Sequence, residues 1–300
     1  MNSTGTGPTL AMTLRRLAAD FASAGIDTPM LDARLLAADA LGLDPVQLLR
    51  DPDRVLSVAC TARIDGLAAR RLQREPVSRI LGRRWFHGLE FAIEPATLDP
   101  RPETETLVDG VLTRARHGSV PGGARCRILD LGTGSGAILI ALLAALPEAT
   151  GVGTDISEAA LAVARGNARR HGVDSRARFQ AAEWLQGMGG ARFDVVVSNP
   201  PYIARATIAD LDPEVARYEP IEALDGGPDG LEAYRAIIGA VASVLSPGGL
   251  LVLEIGLGQA EPVTRMCLET RRLCPETASP VWHDLSGHVR CVAATARNSG

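Results

Sequence analysis

The stretch Arg127-Ile128-Leu129-Asp130-Leu131-Gly132-Thr133-Gly134-Ser135-Gly136, followed by the apolar run Ala137 to Leu146, narrows the fold more than any other part of the chain. A short apolar strand that ends in alternating glycines and passes at once into a helix is the first turn of a nucleotide-binding α/β sheet. Glycines there let the backbone turn tightly, and the free N–H groups of the helix point at a ligand. Such a turn is a weak signal by itself. Its spacing is Gly-x-Gly-x-Gly with Asp130 just ahead, unlike the Gly-x-Gly-x-x-Gly of dinucleotide binders. A carboxylate at that place repels a pyrophosphate, whereas a zwitterionic amino acid offers it an ammonium and presents its own carboxylate to backbone donors. Gly151 to Asp155 reads as the second strand, and Asp155 lies about twenty residues past the loop, where an acid holds ribose hydroxyls. Asp130, Gly132, Thr133, Gly134, Gly136 and Asp155 are therefore the candidate residues for a nucleoside carrying an amino acid.

Ser157-Glu158 opens a helix running to Arg170, and Ala177 to Gln180 reads as a third strand. Glu183-Trp184 follows it, where a carboxylate could accept from an adenine amino group and an indole could stack on the ring. A surface acid and a packing Trp account for those two residues about equally well. The apolar run Phe193 to Val197 reads as a strand buried on both faces, ending in Ser198-Asn199-Pro200-Pro201-Tyr202. Open α/β sheets bind ligands at that end. Two prolines stiffen the chain and remove two backbone donors, so an Asn amide beside a free carbonyl makes an acceptor site for an -NH2 group. A capped Pro-Pro turn explains the tetrapeptide alone about as well; the glycine loop upstream decides for the site.

The remainder organises around these two turns. From Thr9 to about Leu81 the pattern is helical, with Leu10, Leu14, Leu17 and Phe21 on one face, a second helix opened by Thr28-Pro29, a short third from Asp44-Pro45 and a longer one over Val55 to Gln73. That region, taken as residues 1–84, holds no catalytic constellation. Trp85 to Ile93 alternates around a turn glycine and is expected to be a β-hairpin connector, residues 85–99, ahead of a catalytic domain over 100–300. Pro102 suits the first turn of a helix, and spacing leaves open whether Arg101, Glu103 and Glu105 cap that helix or face the cofactor cleft. The long stretch through Glu214, Tyr218, Glu219 and Leu224 to Gly230 reads as a lid or substrate wall. A helix over Leu231 to Leu245, a strand over Leu250 to Ile255, a helix over Glu261 to Arg271 and strands at Val281-Trp282-His283 and Val289 to Ala294 continue the α/β pattern. Thr270 to Pro280 shows none.

A formal charge of −4 and a near-neutral helical region offer no polyanion-binding surface, and every basic residue is arginine. Five cysteines without a Cys-x-x-Cys pair and five scattered histidines lead us to expect reduced thiols and no metal. The polar start of the chain and the lack of a long apolar run point to a cytoplasmic protein.

Pro76-Val77 with Ile80-Leu81-Gly82, Phe86-His87-Gly88-Leu89, Pro100-Arg101-Pro102-Glu103-Thr104-Glu105, Asp130 to Gly136, Asn199 to Tyr202 and Leu224 to Gly230 stand in the order and spacing of one family. Together they resemble the release-factor glutamine methyltransferases, over nearly the whole chain. The resemblance implies a small all-helical domain that docks the protein substrate, a hairpin, and a seven-stranded Rossmann-like class I methyltransferase domain. It also implies methyl transfer from S-adenosylmethionine to the glutamine side-chain amide of the Gly-Gly-Gln motif of peptide-chain release factors. Separately, the charge balance leads us to expect no direct nucleic-acid partner, and a monomer is expected. Asn199, Pro200 and Tyr202 would then be catalytic, and Pro201 and Phe86 would join them around the substrate. Asn199 would also border the cofactor. Glu183 departs from the Asp often found before the Trp, which weakens the adenine contact. The alternatives are a ribosomal-protein glutamine methyltransferase, and a nucleic-acid adenine methyltransferase, whose flipped base presents the same two donors but calls for a basic groove.

Overall fold

The computed structural model describes residues 7–276 and 279–297. The chain divides into two units, one running to Gly82 and taking in Asp212–Tyr218, the other comprising Arg83–Leu211 and the chain from Glu219 onward.

In the first unit are α1 (Leu10–Ser23), α2 (Pro29–Leu41), α3 (Pro45–Leu48), α4 (Val58–Leu72) and α5 (Val77–Leu81). The Thr9 hydroxyl caps α1 by accepting from the Met12 N–H, and the helix buries Leu10, Leu14, Leu17 and Phe21 at the spacing read from the sequence. Pro29 occupies the first turn of α2, and Gly42 closes it in the left-handed region. The helix expected from Val55 begins only at Val58, because Ser57 caps it and Val55 instead forms a bridge with Thr9. Arg71 of α4 is buried. Its Nε donates to Asp32 at 2.8 Å and its Nη1 to Glu214 at 3.0 Å, while Arg74 grips both oxygens of Glu214 at 2.7 Å. Burial alone would raise the Glu214 carboxyl, but the hydrogen bonds from Arg74 and Arg71 outweigh it and hold the group below the usual carboxylate range. The Tyr218 hydroxyl adds a bond to the Gln73 carbonyl at 2.8 Å. Segment Asp212–Tyr218 is thus tied by charge into the helical unit, although sequence order places it far from those helices.

The second unit opens with the hairpin β1 (Arg83–Phe86) and β2 (Leu89–Ala92), turned by His87 and Gly88, both at positive φ. This hairpin belongs to the second unit and is not a separate body. Asn167, buried on α8 (Glu158–Arg170), bonds both the N–H and the C=O of Ala92 and also the Ser135 carbonyl, which joins the hairpin to the glycine loop. After α6 (Glu105–Arg116) come β3 (Arg127–Leu131), α7 (Ala137–Ala145), β4 (Thr150–Asp155), α8, β5 (Ala177–Ala181) and β6 (Phe193–Ser198). They are followed by α9 (Pro213–Ala216) of the first unit, then α10 (Glu232–Val241), β7 (Leu245–Glu254), α11 (Ala260–Glu269), β8 (Leu273–Pro275), β9 (Val281–His283) and β10 (Val289–Ala296).

Seven strands stand in the order β5-β4-β3-β6-β7-β10-β8, with β9 paired to β10 as an eighth. β3 to β7 run parallel, while β10 is antiparallel to β7, β8 and β9. The seven-stranded sheet expected from the sequence is this line, and β8 is the strand that the patternless 270–280 region concealed. Residues 277 and 278 of that region lie outside the described residues. Pro247-Gly248-Gly249, expected as a turn before the strand, falls inside β7 as an irregularity: pairing with β6 jumps from Phe193–Leu245 to Val195–Leu250. The central strands show no polar alternation because both faces are covered. Val195 and Val197 enter one apolar cluster with α6 and α7, and Val196 enters the other with α10 and α11.

Candidate active site

Strand register brings the two turns together. Leu131 at the end of β3 pairs with Thr154 of β4 and with Ser198 of β6, so Gly132, Asp155 and Asn199 leave the sheet side by side. The Ser198 hydroxyl donates to the Leu131 carbonyl at 2.7 Å and locks the neighbours. Because β4 lies on one side of β3 and β6 on the other, this edge is where the order of winding reverses, the usual place for a ligand in such a sheet. A cavity of about 650 Å³ opens there, a size suited to a nucleoside-bearing ligand.

The glycine loop forms one wall. Gly132 and Gly134 both adopt left-handed φ, and a Cβ built on Gly134 meets nothing within 4 Å, so the loop backbone fronts open space. At Gly136, φ is +80° and a Cβ would stand 2.8 Å from Ile140 Cδ1, so this glycine serves the packing of α7 on α8 instead of lining the cavity. Asp155 braces the loop while lining the cavity: its Oδ2 accepts from the Gly134 N–H and its Oδ1 from the Ser157 N–H, both at 2.9 Å. Asp130 lies beneath the loop, wholly buried, and accepts from the Thr133 hydroxyl at 2.6 Å. Burial pushes its carboxyl up to about 7 against the opposing Thr133 bond. Thr133, unlike Asp130, reaches the cavity.

Trp184 lines the cavity with its backbone at φ +50°, a conformation that costs an ordinary residue about 1–2 kcal/mol. Strain of this kind is maintained where a side chain must be aimed. Glu183 is exposed and accepts from the Gln186 amide at 3.0 Å; the cavity is lined by its neighbours Ala182 and Trp184.

Asn199 and Pro201 line the far wall with Phe86 and Thr104. Asn199 Nδ2 donates to the Thr104 hydroxyl at 3.3 Å, which leaves its Oδ1 free to accept. Pro200 is buried, and Tyr202 packs on the second core cluster, where burial pushes its phenol up to about 12. Neither is among the lining residues. Arg101 and Glu105 serve structure in this arrangement. Arg101 donates to buried Glu219 at 2.7 Å and Glu105 accepts from the His87 N–H at 2.8 Å. Sequence reasoning gave Thr104 no role beyond its place in a motif, put Glu219 in a lid or substrate wall, and passed over Glu254, a buried acid at the end of β7. An acid closing an apolar strand next to Asn199 was the available signal for Glu254. Among the described residues no group of three or more His, Cys, Asp and Glu could hold a metal ion, and no helix is long and apolar enough to cross a membrane.

A glycine loop backed by a buried acid, a second-strand carboxylate and an acceptor turn on a Rossmann-like sheet, with residues 123–286 matching a methyltransferase domain family, define the class: an S-adenosylmethionine-dependent methyltransferase. The catalytic domain of hMettl16 shares the fold, with a TM-score of 0.52 at 17% identity, covering 69% of this chain and 75% of that one. Residues 13–82 match the PrmC N-terminal domain. The release factor glutamine methyltransferase of Rhodospirillum rubrum is 48% identical over 277 residues, 92% of this chain and 82% of that protein. The release factor glutamine methyltransferase of Bradyrhizobium diazoefficiens is 45% identical over 289 residues, 96% and 95% of the two chains. The chain belongs to the release factor glutamine methyltransferase family.

Asp155→Ala is expected to weaken S-adenosylmethionine binding by about 1.5–3 kcal/mol, since it removes a carboxylate from the cavity and two bonds that brace the loop. Calorimetric titration checks this, and an unchanged dissociation constant would remove Asp155 from the ribose site.

Proposed function

We propose that the protein transfers a methyl group from S-adenosylmethionine to the side-chain amide nitrogen of the glutamine in the Gly-Gly-Gln motif of peptide-chain release factors, acting as a monomer in the cytoplasm. The observation that carries this reading is the Asn199 amide, whose nitrogen is engaged by Thr104 and whose oxygen is left for the cavity. An -NH2 group has two donors to place. Asn199 Oδ1 takes one and the Pro200 carbonyl the other, while the adjoining prolines hold the acceptors rigid.

The substrate nitrogen is a poor nucleophile because its lone pair is delocalised into its own carbonyl. Fixing both N–H bonds turns that lone pair toward the methyl donor, and positioning of this kind can lower a barrier by several kcal/mol. When bound, S-adenosylmethionine supplies an activated methyl on a sulfonium sulfur. Asp130, Gly132, Thr133, Gly134, Gly136, Asp155, Glu183 and Trp184 are assigned to its site, with Asp155 toward the ribose and the Trp184 indole toward the adenine. Of these, Thr133, Gly132, Gly134, Asp155 and Trp184 have direct access to the cavity. Phe86 and Pro201 line the substrate side, and Tyr202, assigned to the substrate from the sequence, packs on the second core cluster behind them. The helical unit is assigned to recognition of the protein substrate, in keeping with the exposed Met12 and Val58 on its helices.

The test is methyl transfer by the full chain with intact release factor, a ribosomal protein and duplex DNA presented side by side. Label is expected on the release factor and none on its Gly-Gly-Glu variant. Label confined to the ribosomal protein or to DNA would overturn the reading.

A further inference from the structure

The stretch Leu224 to Gly230, expected as lid or substrate wall, has no part in the reaction above, and none of its residues lines the cavity. Its backbone is engaged elsewhere. The Ile203 N–H donates to the Leu224 carbonyl at 3.0 Å, the Gly226 N–H to the Ile203 carbonyl at 2.9 Å and the Arg205 N–H to the Gly227 carbonyl at 2.9 Å. These bonds, with a parallel bridge between Ile203 and Asp225, lace the loop to the chain that leaves the Asn-Pro-Pro-Tyr turn. Glycine is required for so close an approach. A Cβ on Gly226 would stand 2.9 Å from the Pro201 carbonyl oxygen and from Tyr202 Cα, and one on Gly230 would stand 2.4 Å from the Tyr202 carbonyl oxygen.

Gln259, just ahead of α11, closes the arrangement. Its Nε2 donates to the Tyr202 carbonyl at 3.0 Å and to the Gly230 carbonyl at 3.2 Å, while its Oε1 accepts from the Gly256 N–H at 2.9 Å and stands 3.2 Å from the Tyr234 hydroxyl. Both hydrogens of the amide are therefore given to carbonyls, which a carboxylate of the same shape cannot do. The Tyr202 ring rests on Gly256, where a Cβ would be 3.0 Å from Cδ2.

We propose that the Leu224–Gly230 loop and Gln259 form a clamp that holds the Asn199 and Pro200 acceptors in place, with Gly226 and Gln259 as positioning residues. The inference rests on the turn being the acceptor for the substrate amide. Its incoming end is fixed by the pairing of β6 with β3 and by the Ser198 hydroxyl on the Leu131 carbonyl. Its outgoing end is fixed by the clamp. Between the two ends both prolines hold φ at about −65°, so the Pro200 carbonyl keeps one direction as long as neither end moves. Release of the outgoing end lets that carbonyl swing away from the substrate nitrogen, and a misplacement of about 1 Å in a reacting geometry can cost about a hundredfold in rate.

The experiment uses the full chain. Gly226 is not at positive φ, so alanine suits its backbone and acts only as a wedge against Pro201, Tyr202 and Gly230. Gly226→Ala is expected to lower kcat on release factor by about tenfold to a hundredfold, with KM and S-adenosylmethionine affinity little changed. Gln259→Glu, which keeps the acceptors and loses both hydrogens, is expected to lower kcat about tenfold in the same way. Retained S-adenosylmethionine affinity shows in each variant that the sheet is folded. Gly239→Ala, on α10 where an added Cβ meets nothing within 4 Å, is the control and keeps wild-type kcat. A second readout needs neither donor nor substrate. The chain has four asparagines, so selective 15N labelling resolves the Asn199 side-chain amide, whose signals should move in both variants while those of Asn167, on α8, stay fixed. Wild-type kcat in both Gly226→Ala and Gln259→Glu, unmoved Asn199 signals, or an equal loss in Gly239→Ala would overturn the clamp. A wild-type chain that leaves release factor unlabelled while the Asn199 signals still move in both variants would instead strike the substrate assignment and leave the clamp standing.

Discussion

Asn199→Ala is expected to reduce turnover on release factor by a factor on the order of 100 or more, with S-adenosylmethionine affinity little changed, the scale for removing one polar group that acts on the reacting atoms. The size follows from what the side chain does. Its nitrogen is tied to Thr104, so truncation removes the end left to accept, and the Pro200 carbonyl, already assigned to the second N–H, cannot hold both. The backbone is spared. Prolines on the carboxyl side keep the turn rigid, and the Ser198 bond to Leu131 keeps β6 in register. Asn199→Asp is a useful companion, because it retains acceptors but adds a charge and loses the donor to Thr104. Single-turnover rates at saturating donor and release factor read the effect. Near-normal turnover in Asn199→Ala would show that the turn is structural and that other groups hold the substrate amide.

The second large effect is on stability. Arg71→Ala should cost the helical unit about 3–5 kcal/mol, the range for removing one partner of a buried ion pair. Arg71 and Asp32 side chains are 7% and 8% exposed, so the Asp32 carboxylate would be left in the interior without its guanidinium, held by the Thr28 hydroxyl at 2.8 Å. Glu214 is better protected, since Arg74 still holds both of its oxygens. Replacing both partners by apolar residues of similar size, Arg71→Met with Asp32→Leu, should recover most of the loss, because no charge is then stranded. Hydrogen exchange in α2 and α4 reads the change locally and avoids any assumption that both units unfold together. Exchange in Arg71→Ala as slow as in the wild type would show that the pair contributes nothing net.

Local rules carried the sequence a long way where one element could be read by itself. The helix-starting Pro29 and the glycine loop each sit within a few residues of the groups they act on, so spacing was enough to find them, whereas the Ser57 cap that starts α4 was missed and the helix was expected three residues early. Where an element depends on a distant partner, spacing failed. The 3-residue β8 exists only because β10 offers it an edge, with Ala294 opposite Pro275 and Thr295 opposite Cys274, and its own residues carry no alternation. The Pro247-Gly248-Gly249 sequence has the composition of a turn, yet β6 beside it continues the pairing on either side.

The same division holds at the site. By itself the sequence determined the class of sheet, the two turns and the residues at their tips, because a glycine loop and an Asn-Pro-Pro turn are local backbone states that these residue types enforce. Only the tertiary structure decided which of those residues line the cavity. Asp130 and Gly136 sit in the loop motif but are turned inward to Thr133 and to α8, Glu183 points to Gln186, and Asp155 supports the loop as well as the cavity. It alone also brought Thr104 to within 3.3 Å of the Asn199 amide, 95 residues further along the chain. Burial and hydrogen-bond geometry are set by how distant segments pack, and no spacing along the chain encodes them.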